Sequence, residues 1–382
     1  MAVFDQPVTT YSDSTPQKRA ITDVISLIDP TDVPLVTAIG GLDGAASKFR
    51  FINFPQTTVE WLEDTHAPLT DALNESATVT STVTTLTVGD ASYYEAGYVL
   101  AIDSELLWVS SAATATQILT VTRGVAGSTA ATHDSLAAVA IVGIARLEGA
   151  ESSTIALTDR TIGSNVTQIF HQEVKVTRSH GQLSQYGIPN EMGYQRDKAV
   201  PQVMRLVEKH ILRSKGASAG SATTPRIMNG IQGFVTTNKV SGATLTQAKI
   251  ESAVKLAYTY GGAGPWLAVV SPSNKQKIKN FYDTTGTAST TILRVGRDET
   301  TVGMNVERIV TPFGEVNLLL DRHAEDTIIP LLDLNHVGLL TYFPFSWEPL
   351  AKTGDYERQE VVAELTFCLR QEKAHAILTA VS

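Results

Sequence analysis

Three short stretches have the spacing of known catalytic motifs. Residues 216–220, Gly-Ala-Ser-Ala-Gly, fit the G-x-S-x-G pattern, in which a serine nucleophile stands on a sharp turn between a strand and a helix. Here a helical pattern precedes Ser218 and a polar stretch of small residues follows it. Because this order is not the one that exposes a nucleophile, we interpret residues 216–224 as a connecting loop.

Two other matches belong to the β-lactamase motifs. Lys352-Thr353-Gly354 fits the K-T-G element, and Ser252 with Lys255 fits the S-x-x-K element. However, Ser252 falls inside a predicted helix instead of at its start, and the S-D-N element is absent from the sequence. We interpret both matches as chance.

The remaining polar residues do not form a pattern typical of catalysis. The eight histidines are scattered without an H-E-x-x-H motif, and a single cysteine, Cys368, excludes an internal disulfide and a multi-cysteine metal site. Residues 261–264 are glycine-rich but run into Pro265-Trp266 without a phosphate-binding lysine. Residues 321–323, Asp-Arg-His, predict a salt bridge at a strand end. We therefore predict no catalytic, cofactor-binding or metal-binding residues and no enzymatic activity.

The composition indicates that much of the protein surface contacts other protein subunits. The chain has 382 residues, of which 43% are hydrophobic and only 18% charged, below the roughly 25% typical of soluble domains. A surface with so little charge favours contacts with copies of the chain or with a partner. The net charge of −9 argues against nucleic-acid binding by phosphate neutralisation.

Membrane and secretion signals are absent from the sequence. No apolar run reaches the roughly 18 residues of a membrane helix. The first 15 residues lack a basic segment followed by an apolar one, so no secretory signal is predicted. We expect a soluble intracellular product without a membrane partner.

The N-terminal region predicts little independent structure. Residues 1–15 read as an extended arm, and residues 16–28 as a short helix with one apolar stripe. Residues 33–41 read as an irregular stretch with too little apolar surface to fold alone. Residues 49–61 alternate as a strand that Pro55 interrupts.

A change of composition marks an insertion. Residues 74–144 contain almost no lysine or arginine and show short strand patterns about ten residues apart, at 83–88, 98–102, 105–109 and 118–121. This spacing is typical of a small β-barrel or sandwich. The parent fold is predicted to resume near residue 155.

The second half predicts an α+β body. Residues 166–177 read as a strand pair, and residues 190–215 carry the longest helical pattern, in which Pro201 should cause a kink or mark the true start. Further helices and strands follow, and strands dominate after residue 306, so a doubly wound sheet is disfavoured. The predicted helices are 247–260 and 273–282, and the predicted strands are 266–270, 306–310, 316–320, 328–332, 337–342 and 361–369.

Charge is distributed unevenly along the chain. An acidic stretch comprises Glu60, Glu63, Asp64, Asp71 and Glu75, whereas basic residues are Lys48, Arg50 and the series Arg196, Lys198, Arg205, Lys209, Arg213 and Lys215. Within one chain these are solvated faces. Between copies, the acidic loop could meet the basic helix.

The order of these elements resembles a major capsid protein of tailed bacteriophages, a fold that herpesvirus floor domains share. Several stretches are similar to the SU-ten-like major head protein family: residues 32–35, 51–61, 165–170, 313–316, 350–355, 364–367 and 372–375. The resemblance covers nearly the whole chain outside 74–150. Residues 120–133 resemble a small β-module of phage structural proteins, whereas Pro201 departs from the family pattern.

The resemblance implies five regions. It implies an N-terminal arm (1–50), an extended β-loop (51–75 and 150–178) and an inserted small all-β domain (76–149) that projects from the shell. It also implies a peripheral domain with the long helix (179–224 and 331–382) and an axial domain (225–330).

The resemblance further implies a function in self-assembly. The chain would form homo-hexamers and homo-pentamers of an icosahedral head that encloses double-stranded DNA without sequence-specific binding. Implied partners are a portal protein, a scaffolding protein and a decoration protein. The protein would be located in the virion, after assembly in the host cytoplasm. Alternatives are an encapsulin-like bacterial shell and another phage structural protein such as a tail-tube or decoration subunit. A hydrolase that uses Ser218 ranks last.

Overall fold

The computed structural model describes residues 32–40, 56–146, 148–149, 158–183, 188–282 and 307–379. The chain divides into two compact units. We call the first the body, Met1–Trp61 with Gly163–Ser382, and the second the barrel unit, Leu62–Ile162. Of the predicted N-terminal arm (1–50), residues 1–31, which include the predicted helix 16–28, and residues 41–50 lie outside the described residues, as do residues 51–55.

The α-helices of the described residues lie in the body, whereas a short 3-10 helix, Ala91–Tyr93, lies in the barrel unit. None of them is long and apolar enough to cross a membrane. They are α1 (Pro34–Ile39), α2 (Arg178–Gly181), α3 (Glu191–Arg213), α4 (Ile231–Phe234), α5 (Gln247–Thr259) and α6 (Pro272–Tyr282).

Strands occur in both units and form four sheets. In chain order they are β1 (Thr58–Glu63), β2 (Thr70–Ala72), β3 (Thr85–Thr87), β4 (Tyr98–Ile102), β5 (Glu105–Ala113), β6 (Ile118–Thr122), β7 (Ala138–Ile144), β8 (Thr161–Val166), β9 (Gln168–Thr177), β10 (Lys239–Ser241), β11 (Trp266–Val270), β12 (Arg308–Thr311), β13 (Gly314–Leu320), β14 (Ile328–Asp333), β15 (Val337–Pro349), β16 (Tyr356–Leu369) and β17 (Ala376–Thr379).

Helix α3 confirms the predicted long helix. Asn190 caps its first turn by accepting a hydrogen bond from the Gly193 N–H at 3.2 Å. Val203, Val207 and Ile211 are fully buried and recur at helical spacing. The helix begins ten residues before Pro201, so the alternative in which Pro201 marks its start is wrong.

The largest sheet of the body is mixed. Its strand order is β10-β17-β14-β11-β13-β12, with β11 parallel to β13 and antiparallel to β14. All five residues of β11 are buried, as expected for a central strand that is covered on both faces. The sheet confirms an α+β arrangement, and the last strand of the chain, β17, lies inside it between β10 and β14.

A second sheet of the body corrects one prediction. Strand β9 does not pair with β8: it runs antiparallel to β16 over ten residue pairs, whereas β8 pairs with β1. The predicted strand pair within 166–177 is therefore wrong. Thr167, a fully buried residue, separates β8 from β9. The two strands on either side of it belong to different sheets.

Helix α1 corrects a second prediction. Residues 33–41 were expected to be irregular, but residues 34–39 form a helix in which Leu35, Val36 and Ile39 are buried. These three side chains join a core cluster with residues of α3 and β16. A six-residue helix has too few hydrogen bonds to be stable alone, so its stability comes from packing against distant residues.

The barrel unit is a small closed sheet. Its strand order is β2-β7-β4-β5-β6-β3, and a bridge between Leu73 and Val88 joins the two outer strands. Two hydrogen bonds complete this closure, from Asn74 N–H to Thr87 O at 2.9 Å and from Gly89 N–H to Ala72 O at 3.0 Å. The structure confirms the predicted strands and selects the barrel from the two predicted alternatives.

Candidate functional site

The residues that match catalytic motifs in the sequence make structural contacts with nearby residues. Ser218 follows α3 in a loop, where its backbone pairs with Ile227 at 2.8 and 3.0 Å. The Ser252 hydroxyl donates to the Ala248 carbonyl inside α5 at 2.7 Å. Lys352 lies 3.1 Å from Glu357 in the β15–β16 connection. Each of these contacts is one that a loop or a helix makes with itself.

The acidic and histidine side chains do not assemble a metal site in the part of the chain that the structure describes. The buried His375 accepts a hydrogen bond from the Asp333 N–H at Nδ1 and donates from Nε2 to the Arg370 carbonyl. Burial lowers the pKa of its ring from 6.5 to about 4. His375 is therefore a neutral structural link between β14 and the turn before β17.

The principal polar site of the body holds α1 against α3. Glu208, fully buried on α3, accepts hydrogen bonds from the backbone N–H groups of Leu35 at 3.1 Å and Val36 at 3.4 Å. These are unpaired donors of the first turn of α1, which helices leave without internal partners. Their contact with Glu208 joins residues that are 173 and 172 positions apart.

A second acidic residue completes this site. Asp321, also fully buried, accepts a hydrogen bond from the His323 N–H at 2.7 Å and lies against Glu208. Burial raises the pKa of Glu208, and the nearby Asp321 charge raises it further, to about 8. The two backbone N–H groups act in the opposite direction but are outweighed.

Ion pairs lie at the rim of the same site. Arg322 Nε lies 3.3 Å from Asp32 Oδ2, which is the salt bridge that the sequence predicted for residues 321–323. Arg213 Nε lies 3.5 Å from Glu325 Oε1. We call Asp32, Leu35, Val36, Glu208, Asp321 and Arg322 the arm-docking site.

Glu208 is a residue of this site that was not predicted from the sequence. A signal was available, because Glu208 follows Val207 and precedes Ile211 by three positions, on the apolar side of α3. A charged residue on that side is rarely left without a partner.

A second polar network fixes the segment between β8 and β9. Asn165 donates to the Phe367 carbonyl at 2.6 Å and accepts from the Asn229 N–H at 2.8 Å. The Glu364 carboxylate binds the Arg226 guanidinium at 2.6 Å and accepts from the Thr167 hydroxyl. Three separate parts of the chain therefore meet here, which explains why polar residues occupy buried positions of 165–168.

The barrel unit contains its own buried network. Arg123 binds both carboxylate oxygens of Glu105 at 2.7 Å and donates to the carbonyls of Thr80, Val83 and Ala131. The two ring nitrogens of His133 lie 2.8 Å from Asp103 Oδ2 and 2.9 Å from Glu105 Oε2. These contacts join four segments of the unit, at residues 80–83, 103–105, 123 and 131–133.

The Glu105 carboxylate is charged in this network. Burial raises the pKa of Glu105, but the hydrogen bonds from Arg123, Ala131, His133 and Gly124 outweigh burial and lower the pKa to about 2. A buried carboxylate with this many donors is stable as an anion. The arrangement is suited to holding loops, because it leaves no open position for a substrate group.

The structure gives several of the charged residues intrachain partners. Asp71 accepts from the Asp90 N–H, and Glu75 accepts from the Thr87 N–H, so both stabilise the barrel unit. Arg196 lies over the Trp347 ring at 4.8 Å. The contact between an acidic loop and a basic helix of another copy stays a prediction, and Lys48 and Arg50 lie outside the described residues.

Known structures with a similar fold are capsids. The Cyanophage A-1(L) capsid asymmetric unit matches with a TM-score of 0.58 and 10% identity, covering 98% of this chain and 99% of that chain. Microbacterium phage Oxtober96 matches with a TM-score of 0.51 and 11% identity over 98% and 99%. The capsid of an empty GTA particle matches with a TM-score of 0.51 and 10% identity, covering 100% of both chains. At these identities, the likeness shows a shared fold.

Sequence comparison identifies the family. Curated protein sequences contain no match. In contrast, the sequence pattern of the SU10 major capsid protein family matches residues 8–382, nearly the whole chain. This protein therefore belongs to the SU10 major capsid protein family and is a structural protein of the virion that assembles with copies of itself.

Proposed function

We propose that this protein forms the hexamers and pentamers of an icosahedral phage head that encloses double-stranded DNA. The observation that carries the proposal is the family match over residues 8–382. It favours a phage head over the encapsulin-like and tail-tube alternatives. The net charge of −9 agrees with a shell that encloses DNA without holding it, because a negative wall does not bind phosphates strongly.

The five regions receive roles in this shell. The arm (1–50) and the extended loop (51–75 and 150–178) lie across neighbouring subunits, because segments with little apolar surface of their own need a partner to offset their ordering entropy. The peripheral domain (179–224 and 331–382) is organised around α3. The axial domain (225–330) faces the centre of each capsomer, and the inserted domain (76–149) projects outward.

Further partners and the setting complete the proposal. Portal, scaffolding and decoration proteins are the expected partners, and the host cytoplasm is the expected place of assembly. We infer no catalytic role. The local contacts of Ser218, Ser252 and Lys352 support this inference, since each motif residue serves its own loop or helix.

Negative-stain electron microscopy tests the proposal directly. The full-length protein is expressed alone and together with its neighbouring genes, and particles are classified from both preparations. We expect closed icosahedral shells or capsomer rings, with fivefold and sixfold positions resolved by averaging. Coexpression should raise the yield of closed shells, since a separate scaffold is expected.

Three outcomes would contradict the proposal. Uniform tubes would indicate a tail protein, and persistent monomers in every salt condition and with the scaffold present would exclude self-assembly. Shells that enclose an enzyme encoded beside this gene, in the absence of portal and terminase genes, would indicate an encapsulin.

A further inference from the structure

Two carboxyl groups meet inside the arm-docking site. Glu208 from α3 and Asp321 from the end of β13 are both fully buried, and their side chains contact each other. We propose that Glu208 and Asp321 share one proton, and that this proton controls whether residues 32–40 stay docked on α3. The proposal does not rest on the hexamer and pentamer architecture, because every contact lies within one chain.

The hydrogen bonds of the four carboxyl oxygens indicate where the proton lies. Both oxygens of Glu208 accept from backbone N–H groups of α1, and Asp321 Oδ1 accepts from the His323 N–H. Asp321 Oδ2 is buried and receives no hydrogen bond from a conventional donor in the described structure. A proton on Glu208 that is donated to Asp321 satisfies this remaining oxygen.

Within the described part of the chain, the ion pairs at the rim of the site do not include either carboxyl group. Among the described residues, no lysine or arginine forms an ion pair with Glu208, and the cations at the rim bind other carboxylates: Arg322 binds Asp32, and Arg213 binds Glu325. Two carboxylates that touch in a buried site cannot both be ionised, as in other carboxyl pairs. The charged or titratable groups on the surrounding elements are Asp32 beside α1, Asp321, Arg322, His323 and Glu325 between β13 and β14, and Arg205, Lys209, His210 and Arg213 on α3.

The pKa of Glu208 gives the direction of the pH effect. Burial raises this pKa from the ordinary value of 4.5 to about 8, and Asp321 adds to the increase. Docking of α1 is therefore strongest below pH 4.5, weakens as the pH rises, and reaches its weakest value above about pH 8. Between these limits the docking equilibrium falls by at most about tenfold per pH unit, since one pKa unit corresponds to a factor of ten.

Hydrogen exchange of the full-length protein measures this effect. The amide groups of Leu35 and Val36 are the informative probes, because Glu208 accepts their hydrogen bonds only when α1 is docked. Exchange of a peptide that covers residues 32–40 is followed by mass spectrometry from pH 5.5 to 8.5, and each rate is divided by the intrinsic exchange rate of the same peptide in an unstructured state at the same pH. This division removes the intrinsic pH dependence of exchange.

We expect opening in the wild type to increase up to about 100-fold between pH 5.5 and 7.5 relative to Glu208→Gln, and then to level off near pH 8. Asp321→Asn should reduce the pH dependence without abolishing it, because it removes the Asp321 charge while Glu208 stays buried and titratable. Glu325→Gln is the matched control, because Glu325 is a rim carboxyl paired with Arg213. This variant should keep the pH dependence of exchange in residues 32–40. Peptides from β11 should stay protected at all pH values, which shows that opening is local.

Two results would overturn the proposal. One is a normalised exchange rate of the 32–40 peptide that stays within threefold across the pH range in the wild type. The other is a pH dependence that persists in Glu208→Gln, or one that is undiminished in Asp321→Asn, because either result would assign the effect to a different group. If one variant does not fold, the other still decides the question.

Discussion

Arg123 connects two loops of the barrel unit, at residues 80–83 and at Ala131, to Glu105 of β5. Its guanidinium contacts Glu105 with two hydrogen bonds and three backbone carbonyls with the others. Arginine suits this position because its planar group presents five donors in fixed directions. The side chain is almost fully buried, so water cannot replace these bonds.

Removal of the Arg123 side chain should destabilise the barrel unit strongly. In Arg123→Ala, Glu105 becomes a buried charge without its partner. We expect this to lower the free energy of unfolding of the barrel unit by about 3–5 kcal/mol. Hydrogen exchange of the β5 amides gives the free energy of opening. Arg160→Ala is the matched control in the same unit, because the Arg160–Asp64 pair is exposed and should contribute less than about 1 kcal/mol. Similar losses in the two variants would show that the network is not structural.

Helix α3 shows how an element tolerates a residue that its local sequence disfavours. Pro201 has no N–H group, so the Asp197 carbonyl, four residues earlier, loses its helical hydrogen bond. The helix still continues for twelve residues beyond Pro201, because Val203, Val207 and Ile211 are buried against the body. Burial of a full apolar stripe outweighs one missing hydrogen bond.

Replacement of the proline tests this balance. Pro201→Ala should stabilise α3 by about 1–3 kcal/mol, since alanine restores the hydrogen bond and has the highest helix propensity. The measurement is hydrogen exchange of α3 amides, with β11 amides as the internal reference. A lower stability in Pro201→Ala would mean that the proline ring itself is needed for packing.

At the scale of the whole molecule, the barrel unit is independent in its hydrophobic core. Its buried apolar residues, including Leu86, Leu100, Leu107, Leu119 and Val139, form one cluster that contains no residue of the body. Closure through Leu73 and Val88 leaves the sheet with no long open edge. A unit with its own core and a closed sheet meets the usual requirements of a domain.

The barrel unit should therefore fold when it is produced alone. We expect a fragment of residues 62–162 to be monomeric and to unfold cooperatively, as measured by near-ultraviolet circular dichroism and by the fluorescence of Trp108, its one tryptophan. Leu100→Ala in the same fragment should lower its stability by about 2–5 kcal/mol, because it opens a cavity in the core. A fragment that lacks a cooperative transition would show that the body is needed for folding.

Local patterns were sufficient for much of this protein. The helices 191–213 and 247–259 and the strands β3, β4, β5 and β6 of the barrel unit follow from periodicity and turn residues, which act between near neighbours, whereas β2 and β7 were not predicted. The separated motifs at 32–35, 165–170 and 350–355 were sufficient for the family. The helices predicted before Ser218 and around Ser252 are present, which agrees with the interpretation of these serines as loop and helix residues.

Long-range contacts account for the features that the sequence analysis missed. Helix α1 is too short to form alone and exists because Glu208 and the body core receive it. Strand β9 pairs with β16, nearly 200 residues away, so no local pattern could identify its partner. The proximity of Glu208 and Asp321 has the same origin. Such pairs depend on how distant segments pack, and packing is set by the burial of the whole core instead of by neighbours in the sequence.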